Sequence, residues 1–174
     1  METSTNNGFT LIELLVALAI LGLALGIGLP SLDRQIEQRR LDVSSTLLQG
    51  DLAFARQQAL ADNRAVTVGA AGGWQDGWRV FVDRDGDGRF GSGDLLLRSQ
   101  SAQPVHITGN SSVAGYVRYN GLGESQTHTG AFQAGSLLLC PQQASVPGRR
   151  LVINRSGRVR SERLLSGDAR CNAG

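Results

Sequence analysis

The first part of the chain divides sharply into a polar and an apolar stretch. Residues 1–8 are polar, whereas residues 11–29 are almost wholly apolar. The stretch 9–29 has 21 residues, which is enough for a helix to cross the hydrocarbon layer of a bilayer. The pattern therefore predicts a membrane-spanning helix over residues 9–29. An ordinary secretory signal has a basic start and a cleavage site after its apolar stretch, and this sequence shows neither.

A second helical pattern follows Pro30. Because proline lacks a backbone donor, we expect the helix to bend or open locally there. Asp62 and Asn63 form a stop signal, so the predicted amphipathic half of the helix covers residues 30–63. Apolar residues recur along it at steps of seven, four and three, which predicts one apolar face that packs against a folded head. The face comprises Leu41, Leu48, Leu52, Ala55 and Ala59.

Beyond residue 64 the pattern changes to short alternating runs separated by Gly, Asn and Asp. Such runs predict strands, and connections this short favour antiparallel pairing because parallel strands need long crossovers. We therefore expect an α+β fold in which the long N-terminal helix packs on an antiparallel head of residues 64–174. The order of the strands stays open. The predicted strands cover residues 65–70, 78–83, 94–99, 105–108, 116–119, 136–140, 151–154 and 158–163.

Glu13 stands out near the start of the predicted membrane span. An ionisable group at membrane depth costs about 2.5–3.5 kcal/mol or more unless it is paired. Cleavage after Gly8 would create a new α-amino group on Phe9, four residues before Glu13. That amine is suited to neutralise Glu13, within one chain or on a neighbouring one. The alternative is a carboxylate that reaches back to the membrane interface.

The run Gly8-Phe9-Thr10-Leu11-Ile12-Glu13 before an apolar helix resembles the class III signal of type IV pilins and type II secretion pseudopilins. The resemblance implies that a membrane prepilin peptidase cleaves between Gly8 and Phe9, so that residues 1–8 are a leader, and that Phe9 is N-methylated. It also implies a role for Glu13 in filament registration and for Pro30 in kinking the helix. Leaders of this family usually carry a basic residue, and residues 1–7 contain none.

Two further segments, residues 56–60 and 74–83, resemble the GspH/FimT minor pilins and pseudopilins. Heads of this family carry two β-sheets packed on the helix. The resemblance implies a single-pass inner-membrane protein whose head lies in the periplasm. It further implies that the chain then enters a pilus or pseudopilus filament together with other pilin subunits.

The loop that starts at Asp83 has the oxygen-ligand spacing of an EF-hand-type calcium loop. Numbered from Asp83, carboxylates fall at positions 1, 3, 5 and 12, and Gly88 is at position 6. Position 12 is Asp94 rather than the longer glutamate, and strand patterns flank the loop. One interpretation is a calcium site formed by Asp83, Asp85, Asp87 and Asp94, and the other is a metal-free turn between two strands. The sequence requires no other cofactor.

Charge is concentrated at the C-terminal end, although the formal net charge is only +2. All 17 basic residues are arginine, and seven of them lie from Arg149 onward, against Glu162 and Asp168. The arginine bias fits either bidentate recognition of phosphate or carboxylate, which arginine does better than lysine, or a GC-rich genome that favours arginine codons. Cys140 and Cys171 flank most of this basic segment. If the head lies outside the cytoplasm, we expect the two cysteines to form a disulfide. In the chain-entropy treatment, this bond contributes roughly 3–4 kcal/mol to stability. The alternative is two unpaired cysteines.

Residues 149–160 have the pattern of strand, turn and strand. If residues 158–160 are extended, the guanidiniums of Arg158 and Arg160 point to one face, and Gly157 permits the turn that presents them. The run Gly157-Arg158-Val159-Arg160 resembles the Gly-Arg-x-Arg motif of DNA-binding FimT pilins, which take up DNA in natural transformation. The alternative is a solvated face or a contact to neighbouring subunits. The candidate DNA-binding residues are Gly157 and the arginines that are suited to hold phosphates: Arg149, Arg150, Arg155, Arg158 and Arg160.

The sequence lacks the common catalytic motifs. His106 and His128 stand alone, and the chain has neither a Gly-x-Ser-x-Gly elbow nor a phosphate-binding loop. We therefore expect that the chain is not an enzyme, and the resemblance implies a filament subunit that is itself the substrate of a peptidase. The main interpretation is a minor type IV pilin, most like FimT, that binds DNA. The alternative is a GspH-like pseudopilin of a type II secretion system, or a FimU-like minor pilin that primes assembly without DNA.

Overall fold

The computed structural model describes residues 10–171, and of residues 24–31 the backbone alone. Within these residues the chain forms one α-helix, eight strands and three single-turn 3₁₀ helices. The chain divides into two units, Met1–Ile36 and Glu37–Gly174. The helix, α1 (Leu11–Asp62), contributes to both. The predicted cleavage and methylation sites, Gly8 and Phe9, lie outside the described residues.

In the first unit, α1 begins with a capped turn. The side-chain oxygen of Thr10 accepts a hydrogen bond from the backbone N–H of Glu13 at 3.3 Å, and this contact satisfies one of the free donors at a helix start. The helix continues through position 30, and the kink at Pro30 stays a prediction. No helix among the described residues is both long and apolar enough to cross a bilayer. The predicted span of residues 9–29 lies partly outside them.

In the second unit, the predicted apolar face of α1 is confirmed. Its five residues, Leu41, Leu48, Leu52, Ala55 and Ala59, are fully buried. The helix ends at Asp62, and Asn63 follows with a φ of 50°, the left-handed conformation that often terminates helices. The stop signal was therefore predicted correctly.

The second half of α1 also buries a carboxylate. Asp51 is 1% exposed, and it accepts hydrogen bonds from the indole N–H of Trp78 at 2.9 Å, from Arg98 at 3.0 Å and from Gln100 at 3.0 Å. Three donors compensate the loss of hydration that burial imposes on the charge. Asp51 thus joins the helix to three residues of the head, Trp78, Arg98 and Gln100.

The eight predicted strands are all present with small shifts at their ends. The largest shift is in β7, which begins four residues before the predicted residue 151. The strands are β1 (Val66–Ala70), β2 (Trp78–Val82), β3 (Leu95–Gln100), β4 (His106–Gly109), β5 (Tyr116–Tyr119), β6 (Gly135–Cys140), β7 (Pro147–Ile153) and β8 (Val159–Ser166).

The described strands form two four-stranded sheets, and every pairing is antiparallel, as predicted. The order is β3-β2-β1-β5 in the first sheet and β4-β6-β7-β8 in the second. Because β4 precedes β5 in sequence, the chain visits the second sheet before it completes the first. One core cluster contains the helix face together with Val68 and Val80 of the first sheet and Leu137 and Leu151 of the second.

A disulfide joins Cys140, at the end of β6, to Cys171 in the 3₁₀ turn Ala169–Cys171, with 5.4 Å between their Cα atoms. The predicted pairing is confirmed. In the same segment, hydrogen bonds from the side chain and backbone of Arg170 lower the pKa of the Asp168 carboxyl to about 2. The disulfide attaches the end of the described chain to the second sheet.

The hydroxyl of Tyr119 is buried in the core, and no described residue hydrogen-bonds to it. Burial raises the pKa of this hydroxyl, although the charge of Arg56 acts in the opposite direction. Unfolded tyrosine loses its proton near pH 10, whereas the folded chain keeps it to higher pH. The free energy of unfolding should therefore fall as the pH rises above about 10, by up to about 1.4 kcal/mol per pH unit from this group.

Tyr119→Phe tests this expectation because it deletes the unpaired hydroxyl alone. At neutral pH the variant should be as stable as the wild type or more stable by up to about 1–3 kcal/mol, since a desolvation penalty is removed. It should also lose this part of the alkaline slope, as measured by urea unfolding at about pH 7 and about pH 11. Tyr116→Phe, at a half-buried tyrosine, is the control. An unchanged slope in Tyr119→Phe would show that another group causes it.

Candidate nucleic-acid interface

The hairpin of β7 and β8 presents one strand face outward. In its register, Val152 pairs with Arg160, and Arg150 pairs with Glu162, so these four side chains lie on one side. Arg158 and Arg160 are exposed, and with Val152 and Asn154 they line a shallow hollow of about 340 Å³. The structure therefore brings together the two arginines of the Gly-Arg-x-Arg run. We call Arg150, Arg158 and Arg160 the arginine face.

A tight turn at residues 154–157 connects the two strands. The backbone N–H of Gly157 donates to the carbonyl of Asn154 at 2.9 Å, and the side-chain oxygen of Asn154 accepts from the backbone N–H of Arg158, also at 2.9 Å. Gly157 has a φ of 74° and is buried. It determines the shape of the turn, as predicted, but its burial keeps it out of any surface that contacts a ligand.

Alternation along β7 separates Arg149 from Arg150. Arg149 turns to α1, where its Nε and Nη2 donate to Asp42 at 3.0 and 2.6 Å. It is therefore not part of the arginine face, contrary to the predicted grouping, because neighbouring residues of a strand point to opposite sides. Arg150 lies on the outward side, 3.5 Å from the carboxylate of Glu162.

Glu162 is a residue of this surface that the sequence reasoning missed. Its Oε1 accepts from Nε of Arg160 at 2.9 Å and lies 2.7 Å from Nη2 of the same side chain. A spacing of two residues along a strand puts Glu162 on the same side as Arg160, so the signal was present in the sequence. Arg160 nevertheless remains 69% exposed, and an exposed ion pair contributes only about 0–1 kcal/mol.

Arg155 and Arg158 belong to the same turn but have different surroundings. The guanidinium of Arg155 stacks on the ring of Phe132, with 3.9 Å from its Cζ to the ring centroid. Across residues 10–171, no hydrogen bond or ion pair engages the guanidinium of Arg158, and only its backbone N–H is bonded. On the arginine face, it is thus the guanidinium of Arg158 that is free to bind an external partner.

The acidic loop brings three of the four predicted calcium ligands together. Carboxylate oxygens of Asp83, Asp85 and Asp87 lie within 4.8 Å of one another. Asp94 is not in this group, because its carboxylate accepts hydrogen bonds from the backbone N–H groups of Arg84 at 3.0 Å and Gly91 at 2.8 Å. Asp94 therefore closes the far end of the loop.

Asp83 has a different environment from its two neighbours. It is 5% exposed, and its Oδ2 accepts from Nε of Arg118 at 3.1 Å and from the hydroxyl of Thr67 at 3.0 Å. The backbone N–H groups of Gly88 and Gly86 donate to its two oxygens at 3.2 and 2.9 Å. Protein donors thus already engage both oxygens of Asp83. Its position indicates a structural role, and calcium binding stays a prediction.

Comparison with known proteins decides the family. Residues 44–157 match the family described as Type II transport protein GspH, and residues 3–29 match the prokaryotic N-terminal methylation motif. The chain belongs to the GspH family. This GspH-family match covers most of the described head and confirms the predicted class, that of type IV minor pilins and pseudopilins. The family consists of pilin structural proteins.

Individual proteins are also similar to this chain. The pilin-like protein PilA1 of Thermus thermophilus is 33% identical over 93 residues, which is 52% of this chain and 56% of that protein. The chain thus spans about half the length of this curated relative. Two crystal structures of the Pseudomonas aeruginosa type IV minor pilin FimU are similar at 21% identity, with TM-scores of 0.57 and 0.55. They cover 75% and 73% of this chain and 97% and 99% of FimU, and they confirm the α+β fold.

Proposed function

We propose that this GspH-family chain is a minor type IV pilin that binds DNA without sequence preference through the arginine face. The observation that carries the proposal is the position of Arg158 and Arg160, which are both exposed and line one hollow. Two residues apart on an extended chain, their Cα atoms are separated by roughly 6.6 Å. Guanidinium forks bind phosphate oxygens bidentately and keep their charge at any physiological pH.

The ion pairs on this face do not oppose the proposal. The three arginines of the face share it with one carboxylate, that of Glu162, which contacts Arg150 and Arg160, so the face keeps a net positive charge. Phosphates of DNA supply a dense row of negative charges, and binding releases their counterions. An arginine that leaves an exposed pair for such a partner loses little.

The proposal includes the processing and location that this family implies. A prepilin peptidase cleaves after Gly8, Phe9 is methylated, and Glu13 registers the subunit in the filament. The head then lies in the periplasm on a single-pass inner-membrane helix before the chain enters a pilus. The methylation motif at residues 3–29 supports this proposal, and so does the disulfide, since such bonds persist in oxidising compartments.

Arg158→Ala combined with Arg160→Ala should lower the affinity of the soluble head (residues 31–174) for duplex DNA by at least about tenfold at low salt, because two charge-assisted contacts are lost. Fluorescence anisotropy with a labelled duplex measures this change. The matched control is Arg163→Ala combined with Arg170→Ala, which removes the same charge from exposed positions outside the arginine face. The proposal would be contradicted if the wild type and the double variant of Arg158 and Arg160 bound DNA with equal affinity. It would also be contradicted if the control variant lost as much affinity as that double variant.

A second candidate function is assembly without DNA, as a GspH-like pseudopilin of a type II secretion system or a FimU-like priming pilin. The observation that favours it is the intramolecular use of the arginines: Arg149 binds Asp42, and both Arg150 and Arg160 contact Glu162. In this case the wild-type head would not bind the labelled duplex at low salt. The same experiment therefore separates the two functions.

A further inference from the structure

An exposed aromatic ring lies beside the turn of the hairpin. Phe132 keeps 54% of its surface exposed although the guanidinium of Arg155 lies 3.9 Å from its ring centroid. An exposed apolar residue is common on its own. This ring is unusual because its contact partner is an arginine of the same turn that carries Arg158.

Hydrogen bonds hold together the backbone segments that carry the ring and the guanidinium. The backbone N–H of Ser125 donates to the carbonyl of Arg155 at 3.1 Å, and the Ser125 hydroxyl donates to the carbonyl of Asn154 at 2.8 Å. Phe132 forms a β-bridge with Gln126 in the same loop. The two segments are therefore held next to each other before any partner binds, which reduces the entropy lost on binding.

We infer that Phe132 and Arg155 form a stacking platform for an unpaired nucleobase, so that the preferred DNA is a single strand or a single-stranded end. The inference rests on the proposed function, because Arg158, three residues after Arg155 in the sequence, supplies the phosphate contact. Aromatic rings and guanidinium planes both stack on bases, whatever the base identity. In a duplex the bases are stacked on each other and leave no free face for Phe132.

Phe132→Leu tests the platform in the full chain in detergent. The probes are a labelled thymidine strand of about 12 nucleotides, an abasic strand of equal length and a duplex of equal length, because single-strand sites cover about 4–16 nucleotides. We expect the variant to bind the thymidine strand roughly tenfold or more weakly than the wild type. Its affinity for the duplex and the abasic strand should change less than about twofold, since phosphate contacts remain.

The fluorescence of a tryptophan introduced at position 132 provides the second test. Trp74 and Trp78 are 1% and 0% exposed, so the indole that Phe132→Trp introduces is the accessible one among the described residues. Stacking on a base should quench its fluorescence with the thymidine strand and leave it unchanged with the abasic strand. Phe132→Trp should also bind the thymidine strand with wild-type affinity.

Each result supports or overturns the inference. Wild-type affinity of Phe132→Leu for the thymidine strand overturns it, as does equal binding of thymidine and abasic strands by the wild type. Equal weakening for strand and duplex also overturns it, because a general loss is not stacking. If the wild type binds none of the three probes, the proposed function itself fails and the platform with it. If only the duplex is bound, the proposed function stands and the platform fails.

Discussion

Asp83→Ala lowers the free energy of unfolding of the head by about 3–5 kcal/mol, the usual cost of leaving one member of a buried ion pair alone. The side chain of Asp83 is 0% exposed, and that of its partner Arg118 is 15% exposed. The substitution also removes the acceptor of the Thr67 hydroxyl, which is buried as well. Since a domain of this size is stable by only about 5–15 kcal/mol, the midpoint of thermal unfolding should fall by roughly 10 °C or more.

Asp85→Ala is the matched control for Asp83→Ala. It removes the same side chain from the same loop, but Asp85 is exposed, so its loss should change the free energy of unfolding by at most about 0.5 kcal/mol. Urea unfolding of both variants, with and without calcium, measures the difference. Equal losses would contradict the structural role of Asp83. A wild type that calcium stabilises, with Asp85→Ala insensitive to the metal, would support the calcium interpretation instead.

Gly157→Ala destabilises the head by about 2–5 kcal/mol, through two effects that add. The left-handed backbone of Gly157, with a φ of 74°, costs about 1–2 kcal/mol for a residue with a Cβ. That Cβ would also overlap the carbonyl oxygen of Gly123 and approach Arg56 Nε to 3.0 Å and Tyr119 Cδ1 to 3.1 Å. Overpacking of this kind typically costs a further 1–3 kcal/mol or so, and it displaces the hydrogen bond from Arg56 to Gly123.

Gly130→Ala separates the two effects. Gly130 has a φ of 83°, but a Cβ there would meet nothing within 4 Å. The control should therefore lose only about 1–2 kcal/mol, the backbone cost. If chemical denaturation gives equal losses for Gly130→Ala and Gly157→Ala, the close packing of the hairpin turn on Gly123 is not what requires glycine.

Local patterns in the sequence were sufficient to predict the elements. The spacing of apolar residues from Leu41 to Ala59 defines a helix face, whichever element packs against it. The short alternating runs define strands in the same way, because both patterns depend on periodicity along one segment. The start of β7 was missed because Pro147, Gly148 and two arginines do not resemble a strand. Pro147 pairs with β8, and the two arginines pair with both β6 and β8. This tertiary context outweighs their local preference.

Long-range partners were beyond the reach of the sequence. Asp83 and Arg118 are 35 residues apart, and Asp42 and Arg149 are 107 apart. Whether a carboxylate binds a metal or an arginine depends on which strands become neighbours. The order of the strands within the two sheets could not be predicted from the alternating runs. The spacing typical of calcium loops was therefore the only guide to the role of Asp83.

The candidate site was predictable only in part. Alternation along a strand correctly put Arg158 and Arg160 on one side, and the same rule would have excluded Arg149 and found Glu162. Phe132 could not be connected with Arg155, because the contact depends on how the loop around residue 125 packs on the hairpin turn. The glycine of the motif was correctly assigned to the turn, while its close packing on Gly123 became visible only in the folded chain.

The most direct test of the DNA-binding account is the salt dependence of binding by the head. The logarithm of the binding constant falls linearly with the logarithm of salt concentration, by about 0.9 for each phosphate neutralised on a duplex. Loss of Arg158 and Arg160 should therefore reduce the magnitude of the slope by roughly 2, whereas loss of Arg163 and Arg170 should leave it unchanged. A slope that stays the same without Arg158 and Arg160 would show that these side chains do not contact phosphates, and the account would be wrong.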